Sequence, residues 1–280
     1  MHLQSVDATP HARAARPRRN AGGYRGETID ISTMLASCTT AARGAGWSVE
    51  EIPAASNVNL LAFRRCASEF RPPRSAFRVY LSAGIHGDEP AGPLALQRLL
   101  EADAWPSRLE LCAFPCLNPT GFPLNRRENA AGVDLNRDYR HLQTPEIRAH
   151  VAWLEQQPAF DVTFCLHEDW EAHGFYLYEL NPENRPSLSG RVIEAASKLC
   201  PVDPSEVIEG RAASGGIIRP NLDPRTRPQW PEAFWLLQNR TRLSYTLEAP
   251  SDFPLEARVN ALVAAVNAGM KALLGQRTRG

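Results

Sequence analysis

Two periods of hydrophobicity alternate along this chain. Runs dense in β-branched and aromatic residues, such as Phe77-Arg78-Val79-Tyr80-Leu81-Ser82-Ala83, read as buried strands. Between them lie stretches whose apolar residues recur at three- and four-residue steps, as Leu94, Leu96, Leu99 and Leu100 do, and these read as amphipathic helices. The pattern predicts an opening pair of short strands over 48–53 and 59–64, a strand over 77–83 and a helix entered at Pro90 and running to 102. A strand over 109–117 follows, ending in the turn signal Asn118-Pro119-Thr120-Gly121. Beyond it come a helix over 145–157 and a strand over 162–166 that delivers His167. A strand over 175–180 and helices over 188–199 and 231–239 come next. A strand over 243–247 delivers Glu248, and a long helix over 255–274 closes the chain. Strands alternating with helices imply an α/β fold, a mostly parallel or mixed central sheet with helices on both faces.

Composition changes this picture little. In 280 residues, 43% hydrophobic and 22% charged, the chain can bury a large core, and a single catalytic domain over 24–280 is expected. Residues 1–23 hold Arg13, Arg16, Arg18 and Arg19 against the single acid Asp7 and have no apolar stretch for a secretory signal. They are expected to form a disordered basic tail outside the fold, in preference to an organelle transit peptide. The 31 Lys and Arg balance 31 Asp and Glu, so no global field draws nucleic acid or an anionic membrane. No apolar run approaches the roughly 18 residues of a membrane span. The six cysteines are scattered, which favours buried thiols in a reducing, cytoplasmic setting over disulfides.

The chemistry gathers at strand ends. In Gly84-Ile85-His86-Gly87-Asp88-Glu89 a histidine and a carboxylate three apart leave a strand on a glycine-flexed turn. Both can reach one metal ion, because zinc takes imidazole nitrogen and carboxylate oxygen at about 2.0–2.2 Å. Sites in such sheets form where loops leave the carboxyl ends of strands, and His86, His167 and Glu248 each follow a predicted strand directly. Further polar residues crowd 126–137, where Arg126, Arg127 and Arg137 offer forks for a carboxylate. The run His167-Glu168-Asp169-Trp170-Glu171-Ala172-His173 is no two-histidine zinc helix, and its acids are expected to be solvated loop residues.

Taken in order, these residues resemble the zinc carboxypeptidase family, the carboxypeptidase A-like metallopeptidases: His-x-x-Glu, an Arg, Asn-Arg, a His and a Glu, from Phe77 to Pro250. The short Gly-x-His-Gly-Asp-Glu form is similar to the compact bacterial branch, with its murein-peptide amidases and succinylglutamate desuccinylase/aspartoacylase-like deacylases. The resemblance implies one zinc ion held by His86, Glu89 and His167, with Asp134 orienting His86. It implies Glu248 as general base and Arg127, or Arg126 should the loop be offset, as the group polarising the scissile carbonyl. Asn136 and Arg137 would hold the substrate's terminal carboxylate. The expected activity is carboxypeptidase cleavage of short peptides; the alternatives are N-acyl-amino-acid deacylation and, last, an inactive binding module. Oligomeric state is left open. One departure stands out: Ala213-Ser214-Gly215-Gly216 matches a family turn, yet Arg211 stands where a tyrosine is expected. Arg211 would then meet an anionic substrate group, with Ile217 or Ile218 lining the pocket and Trp170, Phe175, Tyr176 and Tyr178 near His167 walling the cleft.

Overall fold

Among the described residues, ten strands, numbered β1 to β10 in chain order, form one mixed sheet in the order β1-β2-β4-β3-β5-β10-β6-β9-β8-β7. The structure is a computed structural model and describes residues 26–66 and 77–276. The basic stretch 1–23 lies outside the described residues. The strands are β1 (Ser48–Ala55), β2 (Val58–Arg65), β3 (Phe77–Ala83), β4 (Leu109–Phe114), β5 (Val162–Asp169), β6 (Tyr176–Leu180), β7 (Val207–Ile208), β8 (Arg211–Ser214), β9 (Ile217–Ile218) and β10 (Ser244–Pro250). The central run β4-β3-β5-β10 is parallel, and antiparallel pairs flank it on both sides. This is the expected α/β architecture.

Among the described residues, six α-helices cover the two faces. On one face α1 (Ile31–Gly44), α2 (Ala91–Ala102), α4 (Ser189–Ala196) and α6 (Leu255–Gln276) bury a core that includes Met34, Leu96, Val192 and Leu262. On the other, α3 (Pro145–Glu155) and α5 (Glu232–Asn239) bury Ile147, Leu154, Phe234 and Leu237. Each such side chain taken out of water contributes roughly 1.5–3 kcal/mol, which is why strands buried on both faces read as nearly continuous apolar runs. Within the second layer Glu232 is fully enclosed. It accepts from Tyr80 Oη (2.8 Å) and Ser82 Oγ (2.8 Å), while Tyr80 Oη lies 2.8 Å from His150 Nε2.

The structure departs from the sequence pattern at several elements, of which helix α1 and the short strands β7, β8 and β9 are not predicted at all. Helix α1 carries no strong apolar stripe in its sequence, because its buried positions are Ile31, Met34, Cys38 and Ala42, and two of these are small. It is held by the Asp30 cap, whose Oδ1 accepts from the Ser32 and Thr33 amides. Strand β4 ends at Phe114, short of the expected 117, because the Leu117 and Asn118 amides turn back to the carbonyls of Ala83 and Gly84 at the end of β3. Strands β5 and β10 run further than expected. Their parallel register continues to Pro250↔Asp169, so His167 and Glu248 lie within strands and not just after them.

Candidate metal centre and active site

The turn after β3 is shaped by two glycines. Gly84 has φ +61, a conformation that L side chains rarely adopt. A Cβ on Gly87 would stand 2.2 Å from the backbone carbon of Gly121, so only glycine lets the two loops touch. The loop therefore folds His86 back over the sheet and sets Glu89 at the threshold of α2. In β5, His167 pairs in register with Glu248 of the neighbouring parallel strand. Directly paired residues on adjacent strands project to the same face. The continuing register thus puts both side chains on one wall.

Glu89 sits between the two histidines. Its Oε1 lies 2.5 Å from His86 Nδ1 and its Oε2 lies 3.0 Å from His167 Nδ1. The imidazole centroids are 5.0 Å apart. All three side chains are buried, and one donor atom from each falls within 4.8 Å of the others. Two neutral imidazoles and a carboxylate, enclosed and converging, are the donor set of a three-ligand metal site with an open fourth position. Among the described residues this is the one such cluster of three or more His, Cys, Asp or Glu side chains.

Supporting contacts hold each ligand in place. His86 Nε2 has no hydrogen bond of good geometry, but Asp134 Oδ1 stands 3.3 Å away. That is where a carboxylate fixes the tautomer of a metal-binding imidazole. Asp134 also accepts from Asn136 N (2.9 Å), capping a short 3-10 turn over Leu135–Arg137, and from Arg127 Nε (2.8 Å). Arg127 Nη1 then lies 3.3 Å from His86 Nδ1 and 3.8 Å from Glu89 Oε1. Glu89 Oε2 accepts from the Glu168 amide at 3.1 Å. Helix α2 lacks a side-chain cap of its own, and Glu168 supplies one, its Oε1 accepting from Ala91 N at 2.5 Å. Arg258 of α6, fully buried, joins Glu168 to Glu27.

Electrostatics follow from this packing. Burial alone would raise Glu89, but the two imidazoles outweigh it and hold the carboxyl well below the usual range. Burial lowers His167, whereas at His86 it is overcome by Glu89 and Asp134, which raise the ring. Glu248 is pushed well above an ordinary carboxyl, first by burial and then by the charges of Glu89, Glu209 and Asp169. A carboxyl raised in this way holds a proton more readily than a free carboxylate does.

The site opens into a cleft of about 760 Å³ whose wall includes His86, Glu89, Arg127, Asn136, Arg137 and Glu248. His167 lines the same cleft, so the candidate ligands, Glu248, Arg127 and the Asn136-Arg137 pair lie together there. Asp134 stands just behind the wall. Arg126 turns away to donate to the carbonyls of Asn129 and Ala130, leaving Arg127 as the arginine that faces the ligands. Trp170 and Tyr178 line the cleft, while Phe175 and Tyr176 are buried, Phe175 in the core on the α1, α2, α4 and α6 face. Ile217 and Ile218 are not part of the cleft wall: the Gly215-Gly216 turn carries β9 back between β8 and β6, where Ile218 is buried; Arg211 is part of it. The acids after His167 are not all solvated, since Glu168 is buried and paired with Arg258. Four of the six free cysteines are buried, Cys112 is half-buried and Cys66 is exposed. Sequence reasoning missed Arg258, whose one signal is a lone arginine four residues before Leu262 on the apolar stripe of α6. It also missed Arg219 and Arg227, which sit in a Pro- and Arg-rich loop. No helix of the described residues is long and apolar enough to cross a membrane.

Comparison with known proteins agrees with this fold. The profile of the succinylglutamate desuccinylase/aspartoacylase catalytic domain matches residues 75–201. A candidate metallopeptidase from Shewanella amazonensis superposes with a TM-score of 0.74 at 23% identity, covering 87% of this chain and 93% of that one. A metallo-carboxypeptidase from Burkholderia cenocepacia superposes at 0.63 and 17% identity, covering 88% and 70%. A carboxypeptidase SOL1 of Arabidopsis thaliana is 35% identical over 104 residues, a match that spans 30% of this chain and 21% of that relative.

Proposed function

We propose that this chain, zinc carboxypeptidase-like in its fold and in the order of its signature residues, is a metal-dependent hydrolase that cleaves the amide next to a free terminal carboxylate in short peptides. The observation that carries the reading is the convergence of His86, Glu89 and His167 with Glu248 and Arg127 in one cleft. A single divalent ion, zinc by the character of its donors, would be held by the two Nδ1 atoms and the Glu89 carboxylate. Such an ion supplies Lewis acidity and brings the pKa of water toward neutrality.

The remaining chemistry belongs to the side chains. Glu248 accepts the proton of the attacking water at its carboxylate and returns it to the leaving nitrogen, so that an amide and water become an acid and an amine. Its elevated pKa lets it hold that proton between the two transfers. Arg127, fixed by Asp134, presents its guanidinium beside the ligand atoms, where negative charge grows on the carbonyl oxygen. Asn136 Oδ1 is taken by the Glu232 amide (2.8 Å), which leaves the Asn136 NH₂ to donate into the cleft. Arg137, exposed beside it, offers a fork for the terminal carboxylate. Together they would fix the scissile bond beside the ligands.

Deacylation of N-acyl amino acids is the second reading, favoured by the profile that matches residues 75–201. Turnover of metal-loaded protein on peptides with free and amidated C-termini, set beside N-acetyl and N-succinyl amino acids, separates the two. Cleavage of the free-acid peptides that is lost on amidation supports the carboxypeptidase. Cleavage of the N-acyl amino acids alone moves the chain to the deacylases.

A further inference from the structure

Five arginines line the cleft: Arg127, Arg137, Arg211, Arg219 and Arg227. Two are neutralised within the protein, Arg127 by Asp134 at 2.8 Å and Arg219 by Glu179 at 2.6 Å. For the other three, no carboxylate of the described residues comes within 4.0 Å. Arg137 belongs to the carboxylate clamp already described. Arg211 and Arg227 are left with their charge uncompensated.

Both are nevertheless held in place, by neutral groups. Arg227 lies over the Phe234 ring at 4.6 Å and donates from Nη2 to the Asn221 carbonyl at 2.7 Å. Arg211 lies over the Tyr178 ring at 5.9 Å and donates to the Glu209 carbonyl at 3.1 Å. It leaves the tight two-residue turn between β7 and β8, where Glu209 and Gly210 take φ +48 and +70. Two such residues in succession fix the strands of a hairpin rigidly. The Glu209 carboxylate does not answer Arg211: it accepts from Tyr178 Oη and lies in electrostatic reach of Glu248. Burial and the charge of Arg211 together press the Arg227 guanidinium below its ordinary pKa. Two like charges lining one cleft, each ordered on a ring and a carbonyl and with no carboxylate of the described residues within 4.0 Å, form a site for an anion, and the planar fork of arginine selects a carboxylate.

We propose that Arg211 and Arg227 form a second anion-binding position, so that the preferred substrate carries a second carboxylate within about one residue of the scissile amide. This rests on the hydrolase reading above for the placement of the first carboxylate at Arg137. The substrates it selects are acidic: peptides ending in, or next to, glutamate or aspartate.

The test is binding to the metal-loaded protein, measured by calorimetry with two five-carbon probes, glutarate and pentanoate, that differ by one carboxylate. The wild-type chain is expected to bind glutarate at least ~10-fold more tightly. That preference should vanish in R211Q and in R227Q, with metal content unchanged. R211Q alters an exposed side chain, so it keeps the test informative should R227Q fold poorly. Equal binding of the two acids, or a preference that survives in R211Q, would overturn the proposal. Turnover of Ala-Ala-Glu and Ala-Ala-Gln is followed in parallel. A lasting glutarate preference with neither peptide cleaved would remove the carboxypeptidase reading and leave the second anion position standing.

Discussion

Replacing Asp134 tests how much of the centre depends on one carboxylate behind it. Its two oxygens serve three partners: His86 Nε2 at 3.3 Å, Asn136 N at 2.9 Å and Arg127 Nε at 2.8 Å. In Asp134→Ala the first loss loosens a ligand imidazole, which costs about 10–100-fold in metal affinity, or roughly 1.4–2.7 kcal/mol. The third loss frees Arg127 from a charge-assisted hydrogen bond worth about 1.5–3 kcal/mol, and that deficit persists with the metal saturated. Asp134→Asn keeps a neutral acceptor for one partner, so its affinity loss should stay near tenfold. Competition with a chromophoric chelator measures affinity, and kcat/KM at saturating metal isolates the share due to Arg127. Neighbouring charge and hydrogen bonding hold Asp134 well below an ordinary carboxyl despite its burial. Its contribution is therefore present at and above the usual carboxylate range and lost only in strong acid. Metal affinity within twofold of wild type in Asp134→Ala would refute the orienting role.

Other outcomes follow from the same geometry. Glu248→Gln should reduce kcat by at least ~100-fold while metal content stays near wild type, and equal loss of both would remove its assignment as proton carrier. Arg258→Met leaves Glu168 buried and unpaired, at a cost of about 3–5 kcal/mol, or about 6–10 °C in Tm by calorimetry. Adding Glu168→Gln should restore part of that loss, and a double variant no better than the single one contradicts the pairing. Burial lifts Glu232 from 4.5 to about 7, so the folded chain keeps a proton there that the unfolded chain releases. That stabilisation is complete below about pH 4.5 and has gone once the pH has risen through 7, a change of about 3 kcal/mol. In urea titrations Glu232→Gln should therefore gain on wild type as pH rises from 5 to 8, and parallel curves would refute it.

Strands buried on both faces wrote themselves into the sequence as plain apolar runs, and β3 is bounded as its sequence predicts. The cluster of His86, Glu89 and His167 was legible for a related reason, because His-x-x-Glu at a strand end and a second histidine at another leave few geometries open. Helix α1 was not legible, since a stripe of Ile31, Met34, Cys38 and Ala42 is too weak to stand out from its neighbours. The ends of β5 and β10 were misjudged because the apolar run of β5 gives way to His167-Glu168-Asp169 and that of β10 to Glu248, and it is pairing between strands that keeps His167 and Glu248 in the ladder. Arg258 and Glu168 were hidden for a deeper reason. A buried ion pair joining residues 90 positions apart leaves no local pattern, and each partner alone reads as a surface charge. Arg227 was hidden in the same way, since it gains its meaning from Arg211, a residue of β8.

The central claim is that His86, Glu89 and His167 hold one ion on which hydrolysis depends. Metal analysis of the purified chain by mass spectrometry, paired with turnover before and after chelation, tests it most directly. The account predicts one divalent ion per chain, its loss in His86→Ala and in His167→Ala, and activity that disappears with the metal and returns with added zinc. Full turnover in a chelated, metal-free chain, or unchanged metal content in both histidine variants, would contradict it.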